Sequence, residues 1–549
     1  MQRRDLLKLS PLALAGTVGH VSLLEAQTET HTAQAAYNVR TYGATGDGKT
    51  VDTPAINKAI DAVAAAGGGT LIFPAGTYLC FTIHIKSNVE LYLSRGCTIL
   101  AADSPKRGET TGYNGGVYDA AEPNDPWTPY QDYGHNHWHN SLFYAEGQHD
   151  FSITGPGLIF GKGLSHGSNG ARGDFYDFVA NQPGVGNKAI ALKNCHNVLL
   201  RDFSLLKGGH FAVLATGVDN LTFDNLLIDT DRDGFDIDCC RNVRVSNCTV
   251  NSPWDDGICP KSSYALGYAR STDNVTIANN FVTGTYELGS IVAGVWKKFA
   301  DDAQVPRQGR IKCGTESNGG FRNITITGNV MEGSKGISLE TSDGAFLEDI
   351  AITGNTLRDT IDAPLFLRLN RRNRNPKETL RPGTLRRILI SNLVSYNSAA
   401  STASILSGIP DNFIEDVKIS NCYFGHEGLP KVMRVQWGAT TQPMPDWHTL
   451  QVPEREDAYP ELLQFGPTPV NGFFVRHLRN LEMSHVEVAP ANPDPRPAFW
   501  LEDVHRADFF AITAPRQQNF SLRNVSDFRL AWSRAAADTT IAQTASQTI

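Results

Sequence analysis

An all-β fold, a single-stranded right-handed parallel β-helix with an N-terminal capping helix, is what this sequence predicts, on three observations. A short pattern recurs along most of the chain, each copy alternates apolar and polar residues, and clear helical periodicity appears once, near the N terminus. The pattern places Asn or Asp before an apolar–any–apolar run that often ends in Asn or Gly-Asn. CHNVLLRDFSLL from Cys195, VDNLTFDNLLID from Val218 and CRNVRVSNCTVN from Cys240 show it, as do TDNVTIANNFVT from Thr272, FRNITITGNVME from Phe321 and LEDIAITGNTLR from Leu347. Weaker copies begin at Gln148, Leu385, Ile414 and Leu478. One coil cannot bury its inward residues alone, whereas stacked coils share an apolar column. Asn at the repeated turn tolerates left-handed backbone and bonds to its counterpart in the next coil. A β-propeller would need about twice the period.

The helix is expected from Thr53 to about Ala66, with Thr53 as N-cap and Pro54 at the first helical position. Ile56, Ala59, Ile60 and Val63 share one face, suited to plugging the open end of the solenoid. The preceding Gly43-Ala44-Thr45-Gly46-Asp47-Gly48-Lys49-Thr50 fits a phosphate-loop pattern, but its helix starts several residues late and Asp47 would repel phosphate. It reads as a glycine turn. Arg3-Arg4-Asp5-Leu6-Leu7-Lys8 and the apolar stretch through Leu24 form a twin-arginine export signal, so residues 1-36 are expected to be a leader and the protein to work outside the cytoplasm, periplasmic or secreted. Residues 37-535 are expected to form the solenoid, interrupted by an inserted loop at about 105-187, and residues 536-549 a loose C-terminal tail.

The 549 residues are 41% hydrophobic and 19% charged, which excludes a disordered chain, and the net charge of -8 gives no global field for nucleic acid. No later segment is a membrane span. The nine cysteines are expected to be mostly small buried hydrophobes. A monomer is expected, without cofactor.

Counting the same distance from the start of four successive copies reaches His210, Asp233, Asp255 and Glu287, an ionisable ladder on one face of the solenoid. Neighbouring strands lie about 4.8 Å apart, so Asp233 and Asp255 should stack, with Asp256 joining them at a bend. Stacked carboxylates repel, which raises the proton affinity of at least one. A pair split in this way suits glycoside hydrolysis, one member protonating the leaving oxygen and another activating water. About one coil beyond Glu287, Arg310 and Lys312 share a face and suit a carboxylate-bearing sugar. Calcium binding and a solvated face are the competing readings of such a ladder.

These residues resemble glycoside hydrolase family twenty-eight, the polygalacturonases and rhamnogalacturonases. Thr230-Asp231-Arg232-Asp233-Gly234-Phe235-Asp236, Asp255-Asp256-Gly257-Ile258 and Gly309-Arg310-Ile311-Lys312 match three of its four signature elements in order. YGATGDGKTVDTPAINKAI and GGGTLIFPAGTYL resemble the opening turns of pectin-lyase-type β-helices. The resemblance covers roughly residues 37 to 430. It implies Asp255 as general acid, Asp233 and Asp256 as activators of water with inversion at the anomeric carbon, Arg310 and Lys312 as ligands of a uronate carboxylate, and no metal. Where the family has Gly-His-Gly, this chain has Tyr286-Glu287-Leu288-Gly289; Glu287 would disfavour an adjacent anionic sugar, and His210 is placed to substitute in part.

The expected function is therefore an exported hydrolase of a pectin-like acidic plant cell-wall polysaccharide or its oligosaccharides, on galacturonate- or rhamnogalacturonan-type substrates. A lyase on the same fold and a non-catalytic carbohydrate-binding solenoid are the alternatives. The segment 105–187, with Gly134-His135-Asn136-His137-Trp138-His139, is expected to wall off the groove and favour action on chain ends. Arg368 is expected to reach the same groove.

Overall fold

Three strands per coil, joined by Asn-rich turns, generate the molecule. A representative coil runs His196–Arg201, Ser204–Leu206 and Phe211–Thr216. The next runs Asp219–Asp224, Leu227–Asp229 and Asp233–Asp238, and every strand pairs in parallel with its predecessor. The computed structural model describes residues 35–131, 133–166, 178–435, 439–515 and 518–549. The chain divides into Met1–Ala35 and Ala36–Ile549. The expected leader lies, but for its end, outside the described residues, and among the described residues no helix is long and apolar enough to cross a membrane.

The alternation read from the sequence is the inward/outward alternation of the coils. Val198, Leu221, Val243, Val275 and Ile324 stack in register, as do Leu200, Phe223, Val245, Ile277 and Ile326, all buried. Full burial of such a side chain contributes roughly 1.5–3 kcal/mol, and each coil supplies the walls for the next. The turns behave as the repeat predicts. Asn197, Asn220, Asn242, Asn274 and Asn323 all have φ between 54° and 58°. Their side-chain amides form a chain, Asn220 donating to Asn197 (2.9 Å), Asn242 to Asn220 (3.2 Å) and Asn274 to Asn242 (3.0 Å). A second, buried column links Asn280, Asn329 and Asn355.

The helix α1 spans Thr53–Ala65 and buries Ile56, Ala59, Ile60 and Val63, as its pattern predicts. Its N-cap is Asp52 rather than Thr53. The Thr53 hydroxyl instead accepts from the Phe81 amide, and the Asp52 carboxylate accepts from the Thr45 and Gly46 amides. Asp47 takes those of Lys49 and Thr50, so the amides of the glycine turn are already used by the chain's own carboxylates.

Two expectations about domain organisation are corrected. The segment 105–187 is not one insertion: Phe143–Glu146, His149–Thr154 and Leu158–Phe160 form a complete coil inside it, because Phe151 and Ile153 carry the inward pattern. Excursions lie before and after that coil. Residues 536–549 are not a loose tail. Thr539–Thr548 pairs antiparallel with Phe520–Ala531 and covers the last parallel edge. Its polar Thr/Gln composition masks a strand with little to bury. Two further excursions, 284–308 and 427–472, leave the solenoid on the side of the acidic residues.

Candidate active site

The site lies on the outward side of the third strand of each coil, where Asp233–Asp238, Ile258–Lys261, Ile311–Cys313 and Ile337–Thr341 are consecutive neighbours. Asp233 begins one strand, and Asp255 and Asp256 lie in the bend before the next. Ser252 fixes that bend, its hydroxyl donating to the carbonyls of Arg232 (2.7 Å) and Asp255 (2.8 Å). Gly234 and Gly257 follow the acids because there is no room for more: a Cβ on Gly234 would stand 2.4 Å from the Gly257 carbonyl oxygen.

The three aspartates converge as expected, with an oxygen of each within 4.8 Å of the others. The register is shifted by one residue, however. Phe235 pairs with Ile258, so Asp256 rather than Asp255 stands beside Asp233, and the Asp256 amide donates to the Asp233 carboxylate at 3.3 Å. Asp256 is fully buried between Arg310 Nε and Lys312 Nζ, each at 2.6 Å. Burial alone would raise its proton affinity, but these two cations outweigh it and hold the carboxyl well below the usual range. Asp233 has the opposite fate: burial, then the charges of Asp236 and Asp255, push it well above that range despite Lys261 at 3.5 Å. Lys261 also contacts Asp236 (3.4 Å) and Glu316 (3.5 Å).

Arg310 and Lys312 do not lie open to a ligand. Both side chains are 3% exposed, and Arg310 Nη1 donates to Glu461 Oε2 at 2.8 Å. Glu461 arrives from the 427–472 excursion and also meets Lys335 at 3.5 Å. Behind Lys312, Glu340 is buried with no hydrogen-bond partner on either carboxyl oxygen, and burial pushes it up to about 8.

The other expected site residues fall elsewhere. His210 is one residue out of the ladder, because Phe211 pairs with Asp233 and the turn before Phe211 is one residue longer than the turn before Asp233. It is buried under Gly134, where a Cβ would lie 2.3 Å from its ring, and burial holds it well below the usual histidine range and therefore neutral. Glu287 sits in the 284–308 excursion, half-exposed and paired with Lys297 at 2.9 Å; Gly309 takes the position beside Asp255 that the ladder reserved for it. Arg368 is fully buried, donating to the carbonyls of Gly408, Glu454 and Arg455, and so fastens the 427–472 excursion rather than lining a groove. His135, His137 and His139 diverge: His135 faces Glu316 (3.8 Å), His137 bonds to Tyr133 O and Asn124, and His139 lies near Glu122 (3.5 Å).

Sequence reasoning missed Lys261, Glu316, Glu340 and Glu461. Lys261 had a signal, since it lies along the strand that Asp255 and Asp256 lead into. Glu461 had none, being delivered by an excursion. All nine cysteines are buried and free.

A family model for "Rhamnogalacturonase A/epimerase, pectate lyase-like" proteins matches residues 36–102. Plasmin and fibronectin-binding protein A of Streptococcus pneumoniae is 27% identical over 275 residues, 47% of this chain and 33% of that protein. Mannuronan C5-epimerase AlgE2 of Azotobacter vinelandii is 51% identical over 65 residues, 10% of this chain and 6% of the epimerase. This chain thus spans a third or less of the length of these two relatives. A probable polygalacturonase of Vitis vinifera is 23% identical over 421 residues, 73% of this chain and 76% of that protein. Among solved structures, the family 28 exopolygalacturonase of Yersinia enterocolitica superposes with a TM-score of 0.56 at 16% identity, over 90% of this chain and 78% of that one. The chain therefore has a parallel right-handed β-helix fold related to polygalacturonase- and pectin-lyase-type enzymes, with relatives of low identity spread over several distinct families.

Proposed function

We propose that this protein is a glycoside hydrolase that cleaves a pectin-like polysaccharide, or its oligosaccharides, by acid–base catalysis with inversion. One observation carries the reading: three aspartates lie within reach of one another, and two of them have been given opposite proton affinities by their surroundings. Asp256 is held ionised by Arg310 and Lys312, Asp233 is held protonated by burial, and Asp255 is the member that reaches solvent. An ionised carboxylate and a protonated one beside a third that reaches solvent suit acid–base hydrolysis of a glycosidic bond. Asp255 is placed to protonate the leaving oxygen. Asp256 takes the proton of the attacking water, and Asp233 holds that water by a hydrogen bond.

Inversion is what the family resemblance implies, and the clamp on Asp256 supports it: both its oxygens are ion-paired, which suits it to taking a proton from water rather than to bonding to the sugar. The excursions support action on chain ends. Trp138 packs on Phe211 and Leu214, with Nε1 donating to Thr216, and the 427–472 excursion is tied down on Arg368, so excursions pack against strands that precede and follow those carrying the acids. The likeness to polygalacturonases supports a pectic substrate, and the leader-like N terminus supports export by a twin-arginine route.

The test is a panel of pectic oligosaccharides incubated with the wild type and with Asp255→Asn. New reducing ends without ultraviolet-absorbing unsaturated products, lost in the variant, are expected. Unsaturated products would assign a lyase, and equal turnover by Asp255→Asn would overturn the assignment of the acid.

A further inference from the structure

We infer that His149, His196 and Asp150 bind a divalent transition-metal ion of the zinc class, at a place separate from the acids. Near the start of the first strand of each coil, one position forms a column of alternating charge: Asp219, Arg241, Asp273, Arg322, Glu348 and Arg386 are successive partners in register. Opposite charges side by side are what neighbouring strands favour. The alternation breaks at the N-terminal end of the column, where His196, the partner of Asp219, has His149 as its other partner. Asp219 does not offset the pair, because both of its oxygens accept from Arg270 Nη2 at 2.8 Å. The two imidazoles stack instead, with centroids 5.1 Å apart and rings inclined by 19°. Protonated, such rings would repel; neutral, they present two nitrogen donors side by side.

The asparagine column changes its chemistry at the same rung. Asn220 donates to Asn197, but Asn197 donates to a carboxylate, Asp150 Oδ1, at 2.8 Å. Consecutive side chains of a regular strand point to opposite faces, yet Asp150, at φ 53°, turns its other oxygen to His149 Nδ1 at 2.7 Å. An imidazole nitrogen of each histidine and an oxygen of Asp150 thus all lie within 4.8 Å of one another. Ligands bound to one zinc stand about 3–4 Å apart. Side-chain rotation closes the difference, since the His149 and Asp150 side chains are 41% and 50% exposed and His196 is exposed as well. Two imidazoles and one carboxylate suit zinc, copper or nickel, whereas calcium takes six to eight oxygens. Three protein ligands leave a coordination position for water. Asp233 stands at the start of a third strand and this column follows the ends of third strands, so the ion joins two coils without touching the acids.

The experiment is a calorimetric titration of zinc into the full-length wild type, His149→Gln, His196→Gln and Asp150→Asn. His485→Gln, which removes an exposed histidine elsewhere, controls for binding to histidines at large. Thermal melting without metal checks that each variant folds. The wild type and His485→Gln are expected to bind one zinc in a step tighter than any other. Either histidine substitution should weaken that step at least about tenfold, and Asp150→Asn should weaken it roughly ten- to a hundredfold. Calcium in excess should leave the zinc in place. Zinc should also raise the melting temperature of the wild type and not that of His196→Gln, because the paired ligands exist only when the two coils are stacked. No tight step in the wild type, a tight step that survives His196→Gln, or displacement of the zinc by calcium would overturn the inference.

Discussion

Asp256 shows how a buried charge is made useful. Isolated in the interior it would take up a proton, but two cations at 2.6 Å keep it a base. Replacing it with Asn should lower kcat by roughly 10²–10⁴-fold on any substrate the wild type cleaves, and should also lower the denaturation midpoint, because Arg310 and Lys312 are left buried without their shared carboxylate. Glu340 gives a separate handle. Its carboxyl is raised from 4.5 to about 8 in the folded protein, so between those values the native state binds more protons than the unfolded chain. Its contribution to stability therefore declines as pH rises through that window. Glu340→Gln should remove this slope, melting higher than the wild type near pH 8 and close to it near pH 5, as read by thermal denaturation across pH. Asp233, Asp255, Asp256, Arg310 and Lys312 were legible because each lies within a few residues of a recognisable pattern. The roles of Arg310 and Lys312 were not, because the partner that occupies Arg310, Glu461, is 151 residues away in sequence.

At the scale of elements, the strands and turns were the most readable part, since the alternation and the Asn positions are local and each is enforced by its neighbours. The spacing within a coil was less so. One additional residue in the turn before Phe211 moves His210 off the ladder, and a whole excursion separates Thr283 from Gly309 where Glu287 was expected to stand. Turn lengths vary at little energetic cost, whereas strand register does not. The 427–472 excursion is held by Arg368 from the solenoid and by Glu461 on Arg310 and Lys335. Glu461→Gln breaks a buried pair and should cost about 3–5 kcal/mol, visible as a lower denaturation midpoint. It should also lower kcat, because Arg310 is then less firmly oriented on Asp256.

For the whole molecule, the consequence of a solenoid is that each end is a sheet edge. The helix Thr53–Ala65 covers one and Thr539–Thr548 the other. Deleting residues 536–549 should expose Phe520–Ala531 as an unpaired edge and promote self-association, measured by light scattering at rising concentration. The expected loose tail missed this because composition does not register an edge that needs covering. The net charge of -8 likewise said little about the partner. What matters is a local arrangement of three acids and the cations behind them. The most direct test of that arrangement is cleavage of a pectic oligosaccharide in ¹⁸O-labelled water, with the products analysed by mass spectrometry. The account predicts one ¹⁸O at each new reducing end, abolished in Asp255→Asn; unlabelled, unsaturated ends, or label that persists in the variant, would contradict it.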